Sequence, residues 1–461
     1  MATTTAPKLG ENKMGVMPVG KLLFNMALPL AISMLVQAFY NVVDSYYVSR
    51  ISESAVTALG LAFPVQHLLI GFATGTGVGM NALLSKSLGE GNQEKANRAA
   101  GNGIFLALCF MACFMLFGFF GAKPYYAMQS NVEETVLGGA SYVSICCIFC
   151  LGIFVEIIGE RLLQASGRTV YTLFTQGLGA VVNIILDPIF IFGNEKLGIA
   201  PMGITGAAVA TVIGQWIAGI MAIIFNFTVN PDVQLKVKYL RPDTKVMKTI
   251  LAVGIPSIIM MAIGSVMNFG MSQIFLSFKE YGETAAGVFG IYFKLQSFVL
   301  MPLLGINNAM VPILAFNYGA RKPDRIMKLM KCALVTALVI MLLGFAAFQV
   351  LTDQLLGIFK PSETFLALGR TALKVVSIHF PIAVVGICMS ACFQALGNGV
   401  YSTIVSLCRQ LVALLPVAFL LSLTGNVHAV WWAFPVAEIV SSATAAFLFT
   451  RIYKKKIKPL F

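Results

Sequence analysis

Charge is what this sequence has least of. Asp, Glu, Lys and Arg make up 11% of its 461 residues, hydrophobic residues make up 58%, and the mean hydropathy is +0.84. A soluble globular chain carries about 25% charged residues, and so few polar groups could not cover the surface of one water-soluble core. Histidine is also scarce, with three residues. The clustered cysteines (Cys146, Cys147 and Cys150; Cys388 and Cys392) lie in apolar segments with few His or carboxylate neighbours. That pattern argues against a metal centre and for thiols packed as small hydrophobes. The sequence has no phosphate-cradling glycine loop, no zinc-finger spacing and no basic patch interleaved with aromatics. An ATP-driven pump, a nucleic-acid partner and a cofactor are therefore not expected. No nucleophile–base pair stands out either, so an enzyme is not expected.

What is present is a series of long apolar blocks. A hydrocarbon layer of about 30 Å needs about 20 apolar residues in helical form. Twelve segments qualify, at 22–48, 55–85, 97–120, 136–163, 169–193, 203–227, 246–277, 284–314, 326–350, 366–393, 400–423 and 427–452. The first is of full spanning length and is expected to remain as a span rather than to be removed as a leader. With both termini placed in the cytoplasm, the basic residues gather in the inner segments at roughly four to one. Lys8, Lys236, Lys238, Arg321 and Lys322 fall inside; Arg50, Lys123 and Lys360 fall outside; Lys294, Lys374 and Arg409 lie within spans. The net charge of +13 is thus a matter of topology.

The longest polar interruption, 228–245, sits near the midpoint, and the two sides of it repeat. A shift of 230 residues aligns Gly75 with Gly305, Gly89 with Gly319, Gln164 with Gln394 and Gly167 with Gly397; a shift of 227 aligns Pro29 with Pro256. The expected architecture is an all-α polytopic membrane protein, with twelve transmembrane helices in two pseudo-symmetric six-helix bundles. The N-terminal lobe is 1–227, the linker 228–245 and the C-terminal lobe 246–461. Six spans per half give both halves the same orientation, related by an axis along the membrane normal. Two such bundles can rock about a site at mid-membrane, which points to a transporter of a small solute.

Polar residues inside the spans are the candidate machinery. Asp44 follows about twenty largely uncharged residues, and an ionised carboxylate there needs a partner, a cation or a wet cavity; the alternative is an interfacial aspartate. Asn183 and Asp187 are four apart and share a helical face. Pro188 frees the carbonyl of Ile184 and is expected to kink the helix; the alternative is a kinked helix end with a capping Asp. Glu156 and Glu160 share a face beside Arg161. Glu160 is expected at the interface, paired with Arg161, whereas Glu156 is deeper. Gln37, Asn41, Lys294 and Gln296 are further candidates for the lining of a cavity. Lys294 either snorkels or neutralises a carboxylate. His67 and His379 are expected to be hydrogen-bonded structural residues.

These residues carry a resemblance. PLAISMLVQAFYNVVDSYYVSR (29–50), GEGNQEKANRA (89–99), LQASGRTVYT (163–172) and NIILDPIFIFG (183–193), with the echoes NYGARKPDR (317–325) and FQALGNGVYS (393–402), resemble the multidrug and toxic compound extrusion (MATE) transporters, in their MepA-like bacterial branch. The resemblance covers almost the whole chain. It implies antiport, in which H⁺ or Na⁺ runs inward while an amphipathic, often cationic, compound leaves through the bacterial inner membrane. It also implies a cation site at Asp44, Asn183, Asp187 and Thr205. Relatives that use acids in spans 7 and 10 find no match, because 256–277 and 381–393 lack Asp and Glu. A monomer in the lipid bilayer is expected. The alternatives are a lipid-linked oligosaccharide flippase of the same superfamily, an exporter of one specific metabolite, and a non-transporting receptor.

Overall fold

The computed structural model describes residues 12–359 and 362–461, apart from the side chains of Ser45 and Glu53. Lys8 and Lys360 of the charge count lie outside the described residues. The chain runs as α1 (Lys13–Val16), α2 (Val19–Ser49), α3 (Glu53–Gly89), α4 (Gln93–Phe120), α5 (Ala122–Gln129), α6 (Glu133–Ile148), α7 (Leu151–Ala165), α8 (Val170–Phe192) and α9 (Ile204–Thr228). After the linker come α10 (Thr244–Leu276), α11 (Gly282–Gly319), α12 (Pro323–Val350), α13 (Thr352–Gly357), α14 (Glu363–Val376), α15 (His379–Ala395) and α16 (Gly399–Leu407). Then π-helical turns over Cys408–Leu414 lead into α17 (Leu415–Ser422), α18 (Val427–Val430) and α19 (Ala433–Ile452). No strand occurs among the described residues. Inside a bilayer only helices or closed barrels satisfy every backbone group.

Among the described residues, ten helices are long and apolar enough to cross a membrane, and counting each of two bent pairs as one span gives twelve. The pairs, α6 with α7 and α14 with α15, each bend by 47° at matching places in the repeat. Pro381, in the first turn of α15, cannot bond back to the Ser377 carbonyl, which accepts from Phe380 N–H at 3.0 Å instead. At the other bend, the carbonyl of Phe149 accepts from the Trp216 indole at 3.2 Å. Hydropathy reads each pair as one span, because a bend leaves the composition unchanged. Pro188, by contrast, sits inside a helix that continues to Phe192.

The repeated Gln-Ala-x-Gly motif is a helix stop. Gly167 and Gly397 have φ of +84° and +74°, a left-handed conformation that glycine adopts without a Cβ clash. Arg168 N–H then donates to the Leu163 carbonyl and Asn398 N–H to that of Phe393, both at 2.7 Å. This is the six-to-one closure of a left-handed helix cap.

Two apolar clusters fill the molecule. One draws on residues from Val48 to Ile250. The other draws on Met267 to Ile457 and also on Met14, Leu22, Leu23, Met26 and Leu30. Helix α2 therefore starts in the second cluster and ends, at Tyr47 and Val48, in the first. The halves meet through α3 with α10 and through α2 with α11. Closest contact is on the face that carries the linker. A Cβ on Gly89 would run into the carbonyl of Phe316, and one on Gly319 into that of Lys86, so repeat-related glycines receive each other's backbone. Helix α1 bridges the same face: Asn12 donates to the Ser166 carbonyl at 3.3 Å, and Arg325 donates to those of Met14 and Met17 at 3.0 and 2.7 Å. The linker is docked rather than loose. Asp232 pairs with Arg168, Gln234 N–H donates to Asn97 at 2.9 Å, and Asp243 N–H donates to Asn102 at 2.7 Å.

The glycine contact gives a direct test. Valine at Gly89 or Gly319 should open the linker face, since overpacking a tight contact costs about 1–3 kcal/mol. Spin labels near the linker-side ends of α3 and α11 are expected to show a longer distance in G89V and G319V than in the native chain. An unchanged distance in both would contradict the closure described here.

Candidate functional site: a carboxylate-lined cavity

The site is built on α2, α7, α8 and α9. Gly179 and Gly214 let α8 and α9 approach closely: a Cβ on Gly214 would lie 2.9 Å from the Gly179 carbonyl oxygen. That approach brings Asn183 against Thr211. With its nitrogen turned to the carboxylate, the Asn183 amide donates to Asp187 Oδ2 at 3.0 Å. Its oxygen then accepts from Thr211 N–H at 3.1 Å and from the Thr211 hydroxyl at 3.3 Å. Asp187 is fully buried and Asn183 nearly so. Buried polar groups left unpaired cost about 1–3 kcal/mol each, so this chain of contacts fixes the Asp187 carboxylate from one side.

Asp44 approaches from α2, which packs along α8. It is near enough to Asp187 for the two carboxylates to repel each other, and its Oδ1 is buried without a hydrogen-bond partner among the described residues. Tyr40, one turn earlier on α2, lies within electrostatic reach of Asp44, Glu156 and Asp187. A cavity of about 100 Å³ opens between these helices, lined by Gln37, Tyr40, Glu156, Glu160, Asn183 and Thr211 among others. None of the residues lining it is basic. Two carboxylates within electrostatic reach of each other favour a cation or a shared proton, since like charges disfavour each other's ionised form.

Glu160 departs from expectation. It is 4% exposed and accepts from the Thr175 hydroxyl at 2.6 Å and the Gln176 amide at 2.8 Å. It forms no ion pair with Arg161 among the described residues. Arg161 instead donates to Gln164 at 2.9 Å and reaches across to Asn308 of α11 at 3.3 Å. Helix α7 buries its Glu160 face within the protein, where these two donors stand in place of the expected ion pair.

The remaining candidates divide. Asn41 is exposed on α2, one turn after Gln37. Thr205 is half-buried in the first turn of α9, nearly two turns before Thr211, and the hydroxyl that meets Asn183 is that of Thr211. Lys294 is exposed on α11. Gln296 lies in the other half, in a second cavity with His379. His67 lies against Phe63, with ring centroids 4.0 Å apart and the rings tilted by 40°. Thr175, Gln176 and Thr211 were not among the candidates. Gln176, Asn183 and Asp187 form a polar stripe at spacings of seven and four along α8, and that periodicity is the signal that would have found Gln176.

Comparison with known proteins decides the family. The sequence profile of the MatE family matches residues 29–189 and again 256–420. The chain belongs to the MatE family. MatE proteins are transporters, and this chain is a membrane transporter rather than an enzyme. Among curated relatives it is similar to the multidrug export protein MepA of Staphylococcus aureus (strain MRSA252), with 25% identity over 95% of each chain. The Staphylococcus haemolyticus (strain JCSC1435) protein of that name is 25% identical over 93% of this chain and 92% of its own. The MatE fold also matches solved structures. An outward-facing multidrug resistance MATE transporter of the MOP superfamily superimposes with a TM-score of 0.91 at 24% identity, covering 98% of this chain and 100% of the other. A MATE structure in the bent conformation gives 0.87 at 24% identity, over 96% of both.

The hydrogen bonds to Glu160 predict a stability effect. Thr175→Val removes a buried donor to a carboxylate and is expected to destabilise the protein by about 1–3 kcal/mol. Thermal unfolding in detergent should show this as a lowered midpoint, and the loss should shrink when Glu160→Gln is added. A midpoint unchanged by T175V would mean that the hydroxyl contributes nothing to holding Glu160.

Proposed function

We propose that this chain exports amphipathic, cationic compounds in exchange for an inward-moving H⁺ or Na⁺, bound in the N-terminal half by Asp44 and Asp187. The observation that carries the reading is that these two carboxylates lie within electrostatic reach of each other, beside a cavity whose lining shares Tyr40 and Asn183 with them and holds no basic residue among the described residues. The printed name of the MepA relatives, multidrug export protein, supports the direction and breadth of transport. Asn183 and Thr211 hold Asp187 in place, and a proton or Na⁺ removes the repulsion between it and Asp44.

In this reading the lobes 1–227 and 246–461 move as two bodies about the cavity in a bacterial cytoplasmic membrane, with both termini inside and one chain as the working unit. Cation loading pulls α2 toward α8 and reshapes the cavity wall that Gln37, Tyr40 and Glu156 share with the solute. The cation and the organic solute then exclude one another, which is the requirement for exchange. Release of the cation on the inner side restores the carboxylates to a state that attracts an organic cation.

Proteoliposomes loaded with a cationic dye, with pH and Na⁺ gradients imposed separately, test this. One of the two gradients should drive dye movement, and Asp44→Asn and Asp187→Asn should each reduce it to the rate of protein-free liposomes while the protein stays monodisperse. Dye movement that persists in both variants would defeat the assignment. Movement that ignores both gradients would defeat the exchange itself.

A further inference from the structure

The C-terminal half holds a second cavity, of about 280 Å³, between α10, α11, α15, the π-helical turns and α19. Its chemistry differs from that of the first. Glu438 on α19 is 3% exposed, and its Oε1 has no hydrogen-bond partner among the described residues. Arg409 stands 3.9 Å from that oxygen, too far for a direct hydrogen bond. This is the one ion pair recorded for Arg409 among the described residues. It sits well inside its span, where an unsatisfied guanidinium is costly.

The carboxylate's other side is also loose. Tyr292 is 2.9 Å from His379 Nε2, and the Gln296 amide donates to the same atom at 3.3 Å. The ring proton therefore belongs on Nδ1, which faces Glu438 Oε2 at 3.6 Å, without a hydrogen bond of its own. The Asn307 side-chain oxygen, on the same cavity wall, is likewise buried and unpartnered. Arg409 lies in the π-helical turns, an irregularity that often re-aims side chains at functional sites. Phe293 and Phe434 supply apolar walls.

A planar five-donor fork and a set of unfilled acceptors thus face one space. A purely cationic solute would satisfy Glu438 and Asn307 but would leave the Arg409 fork facing a positive charge. A purely anionic one would satisfy Arg409 and meet Glu438. We propose that this cavity is a subsite for zwitterionic solutes, taking a carboxylate on Arg409 and a positively charged nitrogen on Glu438 and Asn307. The guanidinium matches a carboxylate in bidentate geometry, and Glu438 then leans on His379 Nδ1–H. The inference deepens the export reading by naming a solute class, but binding to this cavity does not depend on which ion drives transport.

A matched pair of dyes tests it: rhodamine 110, which carries a free carboxylate on a cationic ring system, and its methyl ester rhodamine 123, which is cationic only. Binding to the full chain in lipid nanodiscs is followed by fluorescence polarisation. Charge-assisted bidentate bonds are strong enough that Arg409→Gln should weaken the acid about tenfold more than the ester. Arg409→Lys, which keeps the charge and loses the fork, should fall between. Glu438→Gln should weaken both dyes alike, since both carry the cation. Monodispersity and the unfolding midpoint establish that each variant is folded. Equal effects of R409Q on the two dyes, or none on either, would overturn the proposal. Efflux from proteoliposomes separates the two readings: native protein that binds the acid selectively but moves neither dye would sink export and leave the subsite standing.

Discussion

A carboxylate inside an apolar helical bundle must be neutralised, hydrogen-bonded or wetted, and the arrangement of this molecule follows from how it meets that demand. Glu160 is met by Thr175 and Gln176. Asp187 is met by Asn183, which is itself held by Thr211. Each solution needs two helices at close range, and small residues provide it: the Gly179–Gly214 approach is what lets a hydroxyl on α9 reach an amide on α8. Asp44 is the exception that makes a site, because one of its oxygens is buried with nothing among the described residues to accept from. Packing that satisfied it would also remove the attraction that the proposed exchange assigns to a cation.

Duplication has kept the scaffold and changed the chemistry. The left-handed helix stops at Gly167 and Gly397, the bends before α7 and α15, and the reciprocal glycines at 89 and 319 are the same devices used twice. The cavities they frame are not alike. The first has carboxylates and no base along its lining; the second sets one carboxylate beside a guanidinium and an imidazole. A shared fold with divergent linings is what the physics of repeats allows, since backbone geometry is set by caps, breaks and close approaches, whereas cavity residues are free to vary.

Much of this was legible before any coordinates. Hydropathy located the spans, and the position of Pro188 beside Asp187 marked a polar place in α8. The bends escaped, because hydropathy registers composition and not direction. Thr211 escaped because its role depends on how far α9 slides along α8, a tertiary quantity; the resemblance pointed instead to Thr205, in the first turn of that helix. Glu160 looked interfacial because a charge beside Arg161 near a span end usually is, and only the burial of that face of α7 reveals its two donors. Glu438 stands alone in its stretch of sequence, on α19, and gains its meaning only from Arg409 and His379 across the bundle.

Helix α2 belongs to two masses at once. Its first half is embedded with Met14, Leu22 and Met26 in the apolar cluster of the C-terminal half, and its far end, at Tyr47 and Val48, is embedded in the other. Turning one half against the other must therefore twist or flex the stretch between Leu30 and Tyr47, and Asp44 is carried on that stretch. The rod that joins the two masses is also the arm that holds the charge. Under the proposed exchange, flexing of the shaft and occupancy at the carboxylate would be two readings of a single coordinate, with no relay of intermediate side chains needed to connect them.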